Sequence, residues 1–265
     1  MWVGDNTAHD KTWYACMALR IGRVPALYAE PFYFAMARHG MALYECVPRA
    51  VTEVAANGAI DAGPVPLVDC ARLQDRFEPV AGFCIASLQR TGSSLLYSTR
   101  PITALDGAYI GVTDEAATAL RLLHVLLRCK YQVQPAAYGP LQVAQDAFLL
   151  IGNQALRQRR GAPGFPHTYD LGAEWHAWTG LPFVFARWMV RKEVASRDKV
   201  RLEETLYVGL EDGVESLYQV AEPRQDLLML PRDIVTYIQG FRYFIGQSEQ
   251  QAIEQFQRYL QQLEC

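Results

Sequence analysis

The chain of 265 residues carries 25 Lys and Arg against 28 Asp and Glu, a formal charge of −3, with 51% hydrophobic and 20% charged residues. That composition excludes a disordered chain, and the near-neutral charge gives no basic footprint for nucleic acid or an anionic membrane surface. The length fits one large domain or two small ones, and no run of about 18 uncharged apolar residues is present to span a membrane.

Residues 1–17 are polar and irregular and read as an extension ahead of the fold, without the basic cluster and apolar run of a secretory leader. Ala18–Val24, closed by Pro25, reads as a first buried strand. Pro31 opens a helix through His39 that Gly40 stops. Met41–Cys46 is a second strand, Pro48–Ala56 a helix ended by Asn57-Gly58, and Ala59–Gly63 a third strand. Strands follow at Pro79–Ala86, Ser94–Ser98 and Ala108–Val112. Ala117–Cys129 then has helical spacing, with Leu120, Leu123 and Leu127 on one face. Ala147–Ile151 and Pro182–Ala186 are apolar strands. Glu193–Val208, Val214–Ala221, Arg232–Tyr237 and Ser248–Leu263 read as helices, so the C-terminal third reads as all helix. Alternating strand and helix imply an α/β architecture with largely parallel sheets.

The six cysteines (Cys16, Cys46, Cys70, Cys84, Cys129 and Cys265) form no C-x-x-C pair and have no His at zinc-finger spacing. They read as reduced, buried thiols of a cytosolic protein. No nucleophile elbow, phosphate loop, H-E-x-x-H or dinucleotide fingerprint occurs, and the five histidines are dispersed.

Three segments look like ligand loops. Arg90-Thr91-Gly92-Ser93-Ser94 lies between strands, and small hydroxyl residues beside Gly let Oγ and N–H groups approach a carboxylate; an ordinary polar turn fits equally well. Thr113–Thr118 lies at a strand-to-helix junction, where free N–H groups favour anions. Asp114 and Glu115 already supply negative charge there, so Thr113 reads as a helix cap and Thr118 as a ligand contact one turn on. Leu149-Leu-Ile-Gly152-Asn153 ends a buried strand, the position where open α/β sheets hold ligands; an Asn153 cap is the plainer alternative.

Taken in order, these segments resemble one family. Arg20-Ile-Gly-Arg-Val24 with Pro31-Phe-Tyr33, Gly58–Ala62, Gly63–Val68, Ser93–Pro101, Leu149–Gly152, Tyr169-Asp-Leu-Gly172 and Trp178-Thr-Gly-Leu-Pro-Phe-Val-Phe185 are similar to the chorismate dehydratases of the futalosine route to menaquinone. The resemblance covers residues 18–263. It implies a type II periplasmic-binding-protein-like fold, two α/β lobes with an interlobe cleft. The expected crossings lie near Ser98–Pro101 and Phe185–Trp188, so that 18–98 with 189–265 forms lobe I and 99–188 lobe II, the C-terminal helices returning to lobe I.

The resemblance further implies a lyase that removes water from chorismate to give 3-[(1-carboxyvinyl)oxy]benzoate, with no metal or organic cofactor. A carboxylate of the substrate can serve as base. It implies a small-molecule carboxylate as substrate and neither nucleic acid nor membrane as partner. Tyr28 and Ser93 are the catalytic candidates. Glu30, Thr91, Gly92, Ser94, Thr113, Thr118, Gly152 and Asn153 are the substrate-binding candidates. The sequence departs from the family at four of its positions: Tyr28 stands for Asn, Ala116 and Ala119 for hydroxyl residues, and Asn153 for Asp. Three readings stay open at this point: a dehydratase with a modified pocket, an enzyme of the same fold with another substrate, and a non-catalytic binding protein.

Overall fold

The computed structural model describes residues 18–141, 144–220 and 222–264. The extension read at residues 1–17, with Cys16, and also Cys265, lie outside the described residues.

The chain builds two sheets. Strand β1 (Arg20–Arg23) lies parallel between β2 (Ala42–Glu45) and β3 (Ala62–Pro66). Helix α1 (Glu30–Tyr33) follows β1 with Pro31 in its first turn, and α2 (Pro48–Ala56) follows β2. The α1 helix is shorter than the sequence suggested, because Phe34, Met36 and Gly40 donate three residues back and the chain leaves the α-helix in tight turns. Strand β3 starts three residues late, since Ala59 still bonds back to Val54 and Asp61 holds Arg20. After α3 (Cys70–Leu73), β4 (Phe77–Ser87) joins the first sheet, and the chain then crosses.

The second sheet runs β7-β6-β8-β5-β9, with β5 (Ser94–Ser98), β6 (Tyr109–Val112), β7 (Ala137–Pro140), β8 (Ala147–Ile151) and β9 (His167–Asp170). Helix α4 (Thr118–Val125) follows β6, α5 (Gly152–Gln158) follows β8, and α6 (Leu171–Thr179) follows β9. Then β10 (Phe183–Arg191) returns to the first sheet, antiparallel between β3 and β4. Helices α7 (Ser196–Tyr218) and α8 (Pro231–Gln239) lead to β11 (Phe241–Phe244), which pairs with β4, and α9 (Gln247–Glu264) ends the fold.

Several expectations are corrected. Both sheets are mixed, because β10 and β11 run antiparallel in the first and β5 in the second. The crossings fall at residues 88–93 and 180–182: β5 belongs wholly to the second sheet and β10 wholly to the first. The C-terminal third contains β10 and β11. Only part of it returns to lobe I, since α9 buries Ile253 and Phe256 in the second lobe's core, where Tyr259 stacks on Trp178 at 4.5 Å. The helices read at 193–208 and 214–221 are one helix, α7. Its Gly209 and Gly213 are not breakers but allow close approach: a Cβ on Gly213 would stand 2.7 Å from Pro31 Cα.

Cys84 is buried and Cys46, Cys70 and Cys129 half-buried; all four are free thiols, and burial pushes Cys70 and Cys84 up to about 12. Among the described residues, no helix is long and apolar enough to cross a membrane.

Candidate active site

The two lobes line a partly open cavity of about 60 Å³. At roughly 10–15 Å³ per water-sized sphere this is room for about five, less than a ring-bearing ligand fills.

The first lobe supplies an apolar wall. Pro64 and Pro66 come from β3, Ile85 from β4, Phe185 from β10 and Phe241 from β11. Tyr28, on the 3₁₀ turn after β1, stacks on Phe241 with ring centroids 5.7 Å apart. Burial raises the Tyr28 hydroxyl above its ordinary range, so it stays protonated and keeps its proton for an acceptor in the cavity.

The second lobe supplies polarity. Ala117, Thr118 and Ala119 line the cavity at the start of α4. The N-cap Ala117 has φ −121° and ψ −87° and provides no side-chain cap, so the first N–H groups of α4 keep their capacity for an acceptor. Thr118 Oγ1 is buried and makes no hydrogen bond. An unpaired buried hydroxyl costs about 1–3 kcal/mol, which an acceptor in the cavity relieves. Thr113, expected to cap this helix, is buried four residues before the N-cap and does neither job.

The Thr91–Ser94 loop is pinned from behind by Asp170. Its Oδ1 accepts from Thr91 N at 2.9 Å and Thr91 Oγ1 at 3.2 Å, and its Oδ2 from Gly92 N at 2.6 Å. The same carboxylate caps α6 through Gly172 N and Ala173 N. Thr91 Oγ1 accepts in turn from Ser93 N and Ser94 N. Thr91 therefore lines the cavity, but its polar groups are consumed within the protein. Gly92, at φ +64°, faces a separate open groove on the other side of the loop and packs against Tyr237. Ser93 and Ser94 line the cavity, and Ser93 Oγ lies 2.7 Å from the hydroxyl of Tyr237. Burial raises Tyr237 well above the usual tyrosine range, which keeps it protonated.

Gly152 lines the cavity with φ +55° at the start of α5; a Cβ there would stand 3.9 Å from Tyr28 Cε1. Asn153 turns away to the first lobe, where Oδ1 accepts from Leu27 N and Nδ2 donates to the Pro25 carbonyl. Glu30, expected at the site, is bound by Arg224 through two contacts of 3.1 and 3.2 Å and is absent from the cavity lining. Of the ten candidates, Tyr28, Thr91, Ser93, Ser94, Thr118 and Gly152 come together in one cavity, whereas Glu30, Gly92, Thr113 and Asn153 do not. Asp170 and Tyr237 were missed. An Asp directly before a helix is a cap signal, but its hold on a loop 78–79 residues away has no local signature. Among the described residues no charged side chain lines the cavity.

The model of a protein family described as menaquinone biosynthesis matches residues 19–262. The chain is similar to the chorismate dehydratase of Thermus thermophilus, with 26% identity over 251 residues, 85% of this chain and 89% of that protein. Among solved structures it is similar to the Archaeoglobus fulgidus protein AF1704, with a TM-score of 0.70 and 14% identity over 93% of this chain and 98% of that one. It is also similar to the periplasmic aliphatic sulphonate binding protein SsuA of Escherichia coli, with a TM-score of 0.57 and 11% identity over 93% of this chain and 86% of that one. These likenesses give the fold: two α/β lobes of the periplasmic-binding-protein-like type.

Proposed function

The chain belongs to the menaquinone-biosynthesis family, and from that premise we propose that it is a chorismate dehydratase of the futalosine route, a lyase that converts chorismate to 3-[(1-carboxyvinyl)oxy]benzoate and water. One observation carries the reading: an uncapped helix N-terminus with a buried, unpartnered Thr118 hydroxyl faces a cavity whose lining, among the described residues, holds hydroxyls and apolar groups but no charged side chain. A carboxylate seated there is held by N–H groups and a hydroxyl without a cation.

In this reading one carboxylate of chorismate takes the α4 terminus, and Ser93, Ser94 and Tyr28 donate to the remaining oxygens. A ring C–H bond and the ring C–OH bond break, the electrons of the first complete the aromatic ring, and proton and hydroxide leave together as water. With no carboxylate or imidazole in the lining among the described residues, the substrate's second carboxylate takes the proton. The protein's contribution is to orient it and to exclude solvent. The four free thiols support assigning the reaction to the cytoplasm.

The test is incubation of the purified protein with chorismate and detection of a product lighter by one water in the mass spectrometer. Product formation is the expected result. No product, with no thermal shift on adding chorismate, overturns the reading. A thermal shift without product makes the chain a binding protein of the same fold.

A further inference from the structure

The two lobes are joined across the cavity by helix α5, and the contacts sit at both of its ends. At the N-terminal end both ends of the Asn153 side-chain amide bond to the opposite lobe: Oδ1 accepts the Leu27 N–H at 3.1 Å and Nδ2 donates to the Pro25 carbonyl at 3.0 Å. At the C-terminal end, Arg159 donates to the carbonyls of Leu227 and Leu228 and reaches Asp233 at 3.4 Å. Between them, Leu156 is buried in the core of the first lobe.

We infer that Asn153 is a positioning residue that clasps the lobes shut over the cavity by gripping the turn that carries Tyr28. Three observations converge on this. The donor and the acceptor of one amide meet an acceptor and a donor on that turn, a match that an apolar or singly functional side chain cannot make. Its neighbour Gly152 faces the cavity and Tyr28, so the clasp fixes the two walls against each other. And a cavity of about 60 Å³ is smaller than a ring-bearing substrate, so the lobes move to take it in and the contacts that hold them together are part of the binding equilibrium. Affinity falls by the fraction of molecules able to close. The kinetic part of this inference rests on the dehydratase reading.

The experiment compares Asn153→Ala and Arg159→Ala with the parent protein, with Asn153→Asp as a same-size variant should the alanine variant fail to fold. Asn153→Asp keeps an acceptor for Leu27 but sets a second oxygen against the Pro25 carbonyl. Small-angle scattering without chorismate is expected to give a larger radius of gyration for each variant, returning to the parent value at saturating chorismate. KM is expected to rise about 3- to 30-fold in each, with kcat within about twofold, as the loss of one to three hydrogen bonds from a closing equilibrium requires. Arg159 is outside the cavity lining and faces the open groove behind the Thr91–Ser94 loop, so a rise in KM together with a larger radius in this variant points to closure and not to a contact in the cavity. Unchanged radius and KM overturn the clasp. A fall in kcat for Asn153→Ala with no change in radius also overturns it and makes Asn153 a substrate contact. If the parent protein shows no turnover, the dehydratase reading fails while the scattering comparison still decides the clasp.

Discussion

The two walls of the cavity solve different problems. The first-lobe wall is prolines, Ile85 and aromatic rings, held by a six-stranded sheet whose central strand β10 is paired on both sides. It offers shape and dryness. The second-lobe wall is hydroxyls and a helix terminus, held by a loop that depends on one carboxylate, Asp170, for its conformation. Dispersion contacts are many and small, so the first wall tolerates the loss of any one of them gradually. A polar wall with few partners fails abruptly when one is removed. Sensitivity to mutation therefore concentrates in the second lobe.

The sharpest break in that comparison is Asp170→Ala. The substitution removes the acceptor for Thr91 N, Thr91 Oγ1, Gly92 N, Gly172 N and Ala173 N, while Asp170 is only 8% exposed. We expect a stability loss of about 2–4 kcal/mol, from orphaned buried donors and a lost helix cap, together with loss of chorismate binding. Urea unfolding and calorimetric titration check both. A variant that keeps normal affinity would show that the loop needs no such anchor.

Thr118→Val separates binding from stability. Its hydroxyl has no partner in the protein, so removing it leaves the fold as stable or slightly more so. A hydrogen bond to a charged group contributes about 1.5–3 kcal/mol, which corresponds to a roughly 10- to 100-fold loss of affinity for chorismate. Equal affinity in the variant would move the anion away from α4 and leave the second wall without its main function.

The same division decides what the sequence could reveal. Strands 94–98 and 147–151 and helix 48–56 were legible because each is a short run bounded by its own turn signals. The family and the two-lobed fold were legible through the strings around Gly152 and Trp178. Thr118, Ser93 and Gly152 were legible as candidates because hydroxyls and glycine beside strand ends and a helix start have a local chemical meaning, and the structure brings the three to one cavity. Partners were not legible. That Glu30 belongs to Arg224, and Asn153 to Pro25 and Leu27, depends on contacts 126–194 residues apart. The lobe crossings were misplaced for a related reason: strand β10 reads as an apolar run whichever sheet it joins, and its pairing with β3 and β4 is set by topology.

The smallest effect concerns pH and sets chemistry apart from stability within the second lobe. Tyr28 in the cavity lining and Tyr237 behind Ser93 are both pushed above the ordinary tyrosine range by burial. Turnover per folded molecule should therefore be flat from about pH 6 to pH 9. Behind the cavity, on the same helix as Thr118, His124 packs on Tyr138 at 4.2 Å with its Nε2 buried and unpartnered. Burial first, and then Arg121, lower its pKa to about 4. The unfolded chain takes up this proton near pH 6.5 and the folded chain does not until about pH 4. Between those values the unfolded state binds more protons, so stability falls as pH falls and is constant above. The expected loss is about 1–2 kcal/mol at pH 5 relative to pH 7, read as a lower urea midpoint and removed in His124→Phe. A decline in activity at pH 5 that tracks this midpoint and vanishes in the variant would come from the helix behind the wall. A decline that persists in His124→Phe would require a titrating group in the cavity itself, against the uncharged lining of both walls.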